Sequence, residues 1–212
     1  MQFRHLLISS VILVSIICGY AFYKMSSRTL PGGAVSSFEH KERGQKSSPA
    51  DFRTAAARVS GFNLLRNPPM VPDIEMLDEN GSAVSFDRFQ NKVVLLNLWA
   101  TWCPPCIREM PDLNELQGQY RDRGFIVLPV ASGRQGNEEP AEFLRNRGLN
   151  ELTTYYDPHS KYLDTLGLET LPTTFLIDRN GIMRGGVIGI IDWTSSEVST
   201  LIEALLDEPK SM

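Results

Sequence analysis

The chain has 212 residues, a formal net charge of -4 and a sequence pI near 5.4, so it carries neither the basic stripe that binds nucleic acid nor a long basic stretch for anionic lipid. Hydrophobic residues make up 42% and charged residues 22%, which suits one packed domain plus a tail or anchor. The three cysteines, Cys18, Cys103 and Cys106, are too few for a disulfide-stapled scaffold.

Arg4 and His5 precede an apolar stretch, Leu6 to Tyr23, with no charge until Lys24. Its length is near the lower limit for a membrane-spanning helix, roughly 17 to 25 residues. It reads as a signal anchor over residues 1–24, or else as a cleavable secretory signal with Gly19-Tyr20-Ala21 as its small-x-small site. Either reading delivers the rest of the chain across a membrane. The expected localisation, once the family resemblance carried by the later motifs is added, is the inner (cytoplasmic) membrane, single-pass, with the folded domain facing the periplasm. Cys18 follows the bulky Ile17, which does not suit a lipid-modification signal, and it reads as an apolar thiol within the stretch.

Residues 25–69 hold Pro31, Gly32, Gly33 and a polar run from His40 to Pro49. This composition reads as a flexible linker, within which Ala50 to Leu65 has the spaced apolar residues of a short helix. Asn67-Pro68-Pro69 breaks it, and the folded domain is placed at 70–208.

Val71 to Leu77 alternates as a strand, Asp78-Glu79-Asn80-Gly81 is a turn, and Ala83 to Phe86 returns, which makes a hairpin. Ser85 to Phe89 suggests a capped helical turn. Val93 to Trp99 is an almost unbroken apolar run and suits a central strand buried on both faces. A helix from Pro104 to about Arg123 follows. Phe125 to Ala131 is the next buried strand, and Glu138 to Arg147 a helix closed by Gly148. Thr153 to Tyr156 is a short strand and Ser160 to Leu166 a short helix closed by Gly167. Thr173 to Ile177 and Gly186 to Ile190 are two strands flanking the turn Asp178-Arg179-Asn180-Gly181, and Ser195 to Leu206 is a final amphipathic helix. Strands alternating with helices imply a parallel core, and the second hairpin makes the sheet mixed, with helices on both faces.

The chemistry concentrates in Trp99-Ala100-Thr101-Trp102-Cys103-Pro104-Pro105-Cys106. Cys103 falls where the buried strand becomes a helix, and Cys106 lies one turn inside. Unpaired N–H groups at that helix end favour a negative sulfur, and such a thiol ionises well below the free value of roughly 8.5. Pro104 and Pro105 fit because first-turn amides have no intrahelical partner to lose.

This stretch, continued through Ile107-Arg108-Glu109-Met110-Pro111, and the later Leu171-Pro172-Thr173-Thr174-Phe175-Leu176-Ile177-Asp178, resemble the thioredoxin superfamily over about residues 70–208. They look most similar to the membrane-anchored TlpA, ResA and cytochrome-c-maturation (CcmG) thioredoxins. The resemblance implies a thioredoxin-like α/β fold with a mixed central sheet, an N-terminal β-hairpin extension and helices on both faces. It implies that Cys103 is the exposed attacking thiolate, Cys106 the buried resolving thiol, Pro172 the cis-proline facing them, and Pro111 a kink in the active-site helix. Glu109, one turn below Cys106, would move protons to or from that thiol. Substrate contacts are expected at Trp102, Pro104, Pro105, Leu171 and Thr173. One departure stands out: where general thioredoxins carry a buried aspartate two residues before the first Trp, this chain has Asn97, which cannot titrate.

The implied activity is thiol:disulfide exchange, reducing disulfide-bearing extracytoplasmic proteins during cytochrome oxidase or cytochrome c biogenesis, with a membrane electron donor re-reducing the pair. No cofactor and no metal is expected beyond the redox-active Cys103–Cys106 pair. The alternative is a Cu(I)-binding or metal-delivery module using the same two cysteines. A thiol peroxidase and a disulfide-inserting oxidase are further readings, the last separated from a reductant by redox potential. Trp99 reads equally as core or as a stacking surface, His159 as a helix-start residue, and Arg134 to Glu139 as a solvated loop or as a segment lining the substrate face.

Overall fold

The computed structural model describes residues 49–209. In chain order the elements are α1 (Pro49–Ala56), β1 (Asn63–Leu64), β2 (Met76–Leu77), β3 (Ala83–Val84), a 3-10 turn (Phe86–Phe89), β4 (Val93–Trp99), α2 (Pro104–Tyr120), β5 (Phe125–Ser132), α3 (Pro140–Asn146), β6 (Tyr155–Asp157), α4 (Lys161–Leu166), β7 (Thr173–Ile177), β8 (Met183–Ile188) and α5 (Ser196–Leu206). The strands form one sheet in the order β1-β8-β7-β4-β5-β6-β2-β3. β4, β5 and β6 run parallel, whereas β7 is antiparallel to β4, β8 to β7 and β2 to β6.

β4 is buried along its whole length because the sheet is covered on both faces. Its alternate residues divide between two apolar layers, as the two-residue period of a strand requires. Val93, Leu95 and Trp99 pack with Met110 and Leu113 of α2 and Leu201 and Ile202 of α5. Val94, Leu96 and Leu98 pack with Phe86, Phe89 and Tyr162 on the other side. Trp99 is fully buried, its ring 5.3 Å from that of Phe143 and its indole N–H donated to Thr154 Oγ1 at 3.2 Å; it is core rather than a stacking surface.

The two Asp-x-Asn-Gly turns close in the same way. Asp78 Oδ1 accepts the amides of Asn80 and Ser82, both at 2.9 Å, and Asp178 Oδ1 accepts those of Asn180 at 2.9 Å and Ile182 at 3.0 Å. The side chain substitutes for a backbone turn acceptor, while Gly81 and Gly181 supply the positive φ that follows.

Two stretches differ from the sequence reading. β8 spans Met183–Ile188 rather than residues 186–190, because Gly185 and Gly186 have no side chains to display the alternation. Gly185 also admits a further edge strand: a Cβ there would lie 2.7 Å from the carbonyl oxygen of Asn63, so the close approach of β1 requires glycine. Within the expected linker, the short helix read over Ala50 to Leu65 is α1, which ends at Ala56, and part of the segment is packed. Phe52, Ala55, Ala56 and Val59 follow helical spacing, are all buried, and join the layer that contains Val198, Leu201 and Leu205 of α5.

The single-pass inner-membrane localisation is corrected: among the described residues no helix is long and apolar enough to cross a membrane. The longest, α2, has 17 residues and carries Arg108, Glu109, Asp112, Asn114 and Glu115. Leu6 to Tyr23, on which that localisation was based, lies outside the described residues.

Candidate active site

β4 delivers the chain to the N-terminus of α2, where Cys103 is the N-cap residue. Pro104 and Pro105 occupy the first helical positions and have no N–H, so Cys106 is the first residue of α2 that can donate one. That amide points at Cys103 Sγ at 3.3 Å, and the amide of Ile107 is donated to the Cys103 carbonyl at 3.1 Å. Cys103 and Cys106 form a disulfide with a Cα separation of 5.3 Å, within the usual range for such bonds. Cys106 is fully buried and Cys103 only 3% exposed. The sequence reading of an exposed Cys103 is corrected for this disulfide form, in which its sulfur is bonded to the buried partner and covered by that partner's amide.

Cys103 lines an open groove of about 750 Å³ together with Trp102, Pro104, Pro105, Arg134 and Leu171. Trp102 is 57% exposed. The facing loop is fixed by Gln135, whose side-chain oxygen accepts the Thr101 amide at 3.0 Å while its nitrogen is donated to the carbonyls of Ser132 at 3.1 Å and Gly133 at 3.0 Å. Thr101 Oγ1 accepts the Gly136 amide at 3.0 Å. The Leu171–Pro172 peptide bond is cis, and the Pro172 carbonyl accepts the Gly189 amide at 2.8 Å.

Glu109 lies on α2 one turn beyond Cys106, on the same helix face, and is 2% exposed. Asn97 Nδ2 is donated to Glu109 Oε1 at 2.7 Å and to Thr174 Oγ1 at 2.8 Å. Trp193 Nε1 is donated to Glu109 Oε2 at 2.8 Å. Burial pushes the Glu109 pKa up from 4.5 to about 7. The Trp193 and Asn97 bonds favour the charged form and pull it down, and the nearby Asp112 carboxylate adds a smaller upward push. A carboxyl poised there exchanges protons readily at neutral pH.

Of the expected site residues, Cys103, Trp102, Pro104, Pro105 and Leu171 share the groove, and Cys106 and Glu109 lie behind it. Thr173 is not brought to the groove: it is 1% exposed and donates its hydroxyl to the Thr170 carbonyl at 2.7 Å. Trp193 and Thr174 were missed, and Gln135 was named only as part of a longer run. A tryptophan within the polar turn Asp192 to Ser196 was the one available signal, since a large aromatic there needs a buried partner. Gln135 belongs to the run Arg134 to Glu139 that the sequence offered as a lining of the substrate face, and with Arg134 it lines the groove. Among the described residues no group of three or more His, Cys, Asp or Glu is arranged to hold a metal ion.

Residues 69–185 match the model of the AhpC/TSA family. The chain is 34% identical over 134 residues to the thiol-disulfide oxidoreductase ResA of Geobacillus thermodenitrificans, covering 63% of this chain and 75% of that one. Among solved structures, a secreted thiol-disulfide isomerase from Corynebacterium glutamicum matches with a TM-score of 0.60 and 25% identity over 70% of this chain and 93% of that one. The pneumococcal exposed lipoprotein thioredoxin from Streptococcus pneumoniae matches with a TM-score of 0.52 and 29% identity over 62% and 99% of the respective chains.

Proposed function

The chain belongs to the AhpC/TSA family, and on that premise we propose that it is a thiol:disulfide oxidoreductase that reduces disulfides in protein substrates through Cys103 and Cys106. The observation that carries this reading is the Cys103–Cys106 disulfide at the start of α2, opening onto the groove that Trp102 and Leu171 line. With the pair reduced, the Cys103 thiolate attacks one sulfur of the substrate disulfide and expels the other as a thiolate. The Cys106 thiolate then attacks Cys103 Sγ in the mixed disulfide. The Cys103–substrate bond breaks, the second substrate sulfur leaves with the electron pair, and Cys103–Cys106 remains. Cys106 must lose its proton before it attacks, and the buried Glu109 one helical turn away supports a reading of it as the base.

Each turnover leaves the pair oxidised, so a donor must restore the dithiol; the resemblance to ResA and TlpA proteins supports a membrane electron carrier in that role. The same resemblance supports substrates met during cytochrome oxidase or cytochrome c biogenesis. The Cu(I)-delivery alternative has less support, because the similar proteins are named thiol-disulfide oxidoreductases and no group of three or more His, Cys, Asp or Glu among the described residues is arranged to hold a metal ion. The deciding assay follows reduction of a protein disulfide by the reduced chain. Turnover is expected from the native protein and none from Cys103→Ser; retained turnover in that variant ends the proposal. Rapid consumption of peroxide with no protein-disulfide reduction would favour a peroxidase instead.

A further inference from the structure

We propose that Trp193 is a positioning residue of the redox centre: its indole N–H reserves Oε2 of Glu109 as an acceptor, so the exchangeable proton resides on Oε1, and the Asn97 amide turns over as that proton comes and goes. This deepens the reading of Glu109 as the base for Cys106 and rests on it.

The argument is one of hydrogen-bond inventory. An indole N–H donates and cannot accept. A proton on Oε2 would therefore make that oxygen a poorer acceptor and weaken the 2.8 Å bond from Trp193. Trp193 is 2% exposed, so water does not replace that bond cheaply. Oε1 faces a side chain of the opposite kind. The Asn97 amide has a donating end and an accepting end, and now gives both N–H groups, one to Oε1 and one to Thr174 Oγ1. Its own Oδ1 is buried with no partner. Turned by half a revolution, the amide would present Oδ1 to a protonated Oε1 and to the Thr174 hydroxyl. Either orientation makes two hydrogen bonds and leaves one end unpaired, so neither protonation state of Glu109 is locked. An aspartate at position 97 would lack this symmetry, since it would share a proton with Glu109 and couple the two titrations.

The charged surroundings leave the exchange to these neutral partners. β4 and β7 present Asn97 and Thr174. Along α2 the acting charge is Asp112, and the loop before α5 contributes Asp192, which acts on Asp112 in turn. In the resolving step the Cys106 S–H bond breaks, the proton passes to Oε1, and the thiolate attacks Cys103 Sγ. The proton then leaves Oε1 with the released substrate thiolate or to water.

The test uses the full reduced chain carrying Cys18→Ser, so that Cys103 and Cys106 are its only thiols, and dithionitrobenzoate, whose second coloured thiolate is then released when Cys106 resolves the mixed disulfide. Trp193→Phe keeps the ring and removes the donor, so the carboxylate loses one stabilising bond. The pH midpoint of the second phase should rise by about one unit, which slows resolution roughly fivefold at neutral pH and not at all well above the midpoint. Glu109→Gln should abolish that pH step. If it does and Trp193→Phe leaves the midpoint in place, the role of Trp193 is refuted while the assignment of Glu109 stands. If Glu109→Gln itself resolves with the native profile, the base assignment falls and takes this inference with it. Should Trp193→Phe not fold, nuclear magnetic resonance of the native protein decides: the Trp193 indole and Asn97 amide signals must shift with one midpoint near neutrality, and signals that stay flat refute the proposal.

Discussion

The Trp102 indole N–H is donated to the Arg134 carbonyl at 2.7 Å, which ties the residue before the first cysteine to the loop that walls the groove. More than half of the ring stays exposed, so that bond, rather than burial, sets the orientation it offers a substrate. Gln135 reinforces the same junction through three bonds. Gln135→Ala should lower stability by only about 1–2 kcal/mol and raise the KM for a protein disulfide several-fold, with kcat less affected. Hydrogen exchange at the Thr101 amide reports the loosening directly. An unchanged KM, with exchange accelerated, would mean that the wall of the groove does not contact substrate.

Cys106→Ser should stop the reaction one step short. Cys103 still attacks, but no second thiol resolves the product, so a mixed disulfide accumulates in equimolar amount with the protein. Mass spectrometry of the trapped species checks both its stoichiometry and its attachment at Cys103. Attachment at any other residue, or no adduct from a variant that folds, contradicts the assigned order of attack.

Glu109 also makes stability depend on pH. Its folded pKa of about 7 lies above the ordinary 4.5, so the folded state binds this proton more tightly than the unfolded chain. The resulting contribution is complete below about pH 4.5 and is lost as pH rises through about 7. A shift of this size corresponds to about 3 kcal/mol. Denaturant unfolding of the native chain and of Glu109→Gln at several pH values isolates the effect: the native curve should decline across that window and the variant's should be flatter. Parallel curves would show that Glu109 does not titrate there.

How much of this was legible from sequence follows from what each residue has to display. β4 and β7 were placed to the residue because their runs are short, continuous and bounded by turn residues, and the cysteine pair became legible through its flanks, the buried strand and Trp99 to Trp102 before it, rather than through its spacing alone. The Glu109 cluster was only half visible. Glu109 and Asn97 could be named from a motif, but Trp193 is 84 positions from Glu109, and no local pattern encodes a contact made by folding the last loop back over α2. β1 left no pattern because two residues cannot alternate convincingly, and its place in the sheet depends on the missing side chain of Gly185 on the opposite strand.

The same reasoning explains why α1 was underrated and how its role can be measured. Its stripe is short, and two of its three buried residues are alanines, so the segment resembles a weakly apolar linker until α5 is set against it. Phe52 bears most of the contact: it is 1% exposed and its ring lies 4.7 Å beneath the Arg184 guanidinium. That arginine also pairs with Glu208 at 2.6 Å and with Asp178 at 3.2 Å, so Phe52 supports the junction between the C-terminal end of α5 and the second hairpin. Phe52→Ala removes a buried aromatic and should cost about 3–4 kcal/mol, measured as a lower denaturant midpoint with an unchanged slope. Phe52→Leu, which keeps most of the apolar volume, should recover about half of that loss. If Phe52→Ala costs less than about 1 kcal/mol, α1 is peripheral and the upstream residues revert to a tether; if the cost is as expected, the folded unit begins well before residue 70.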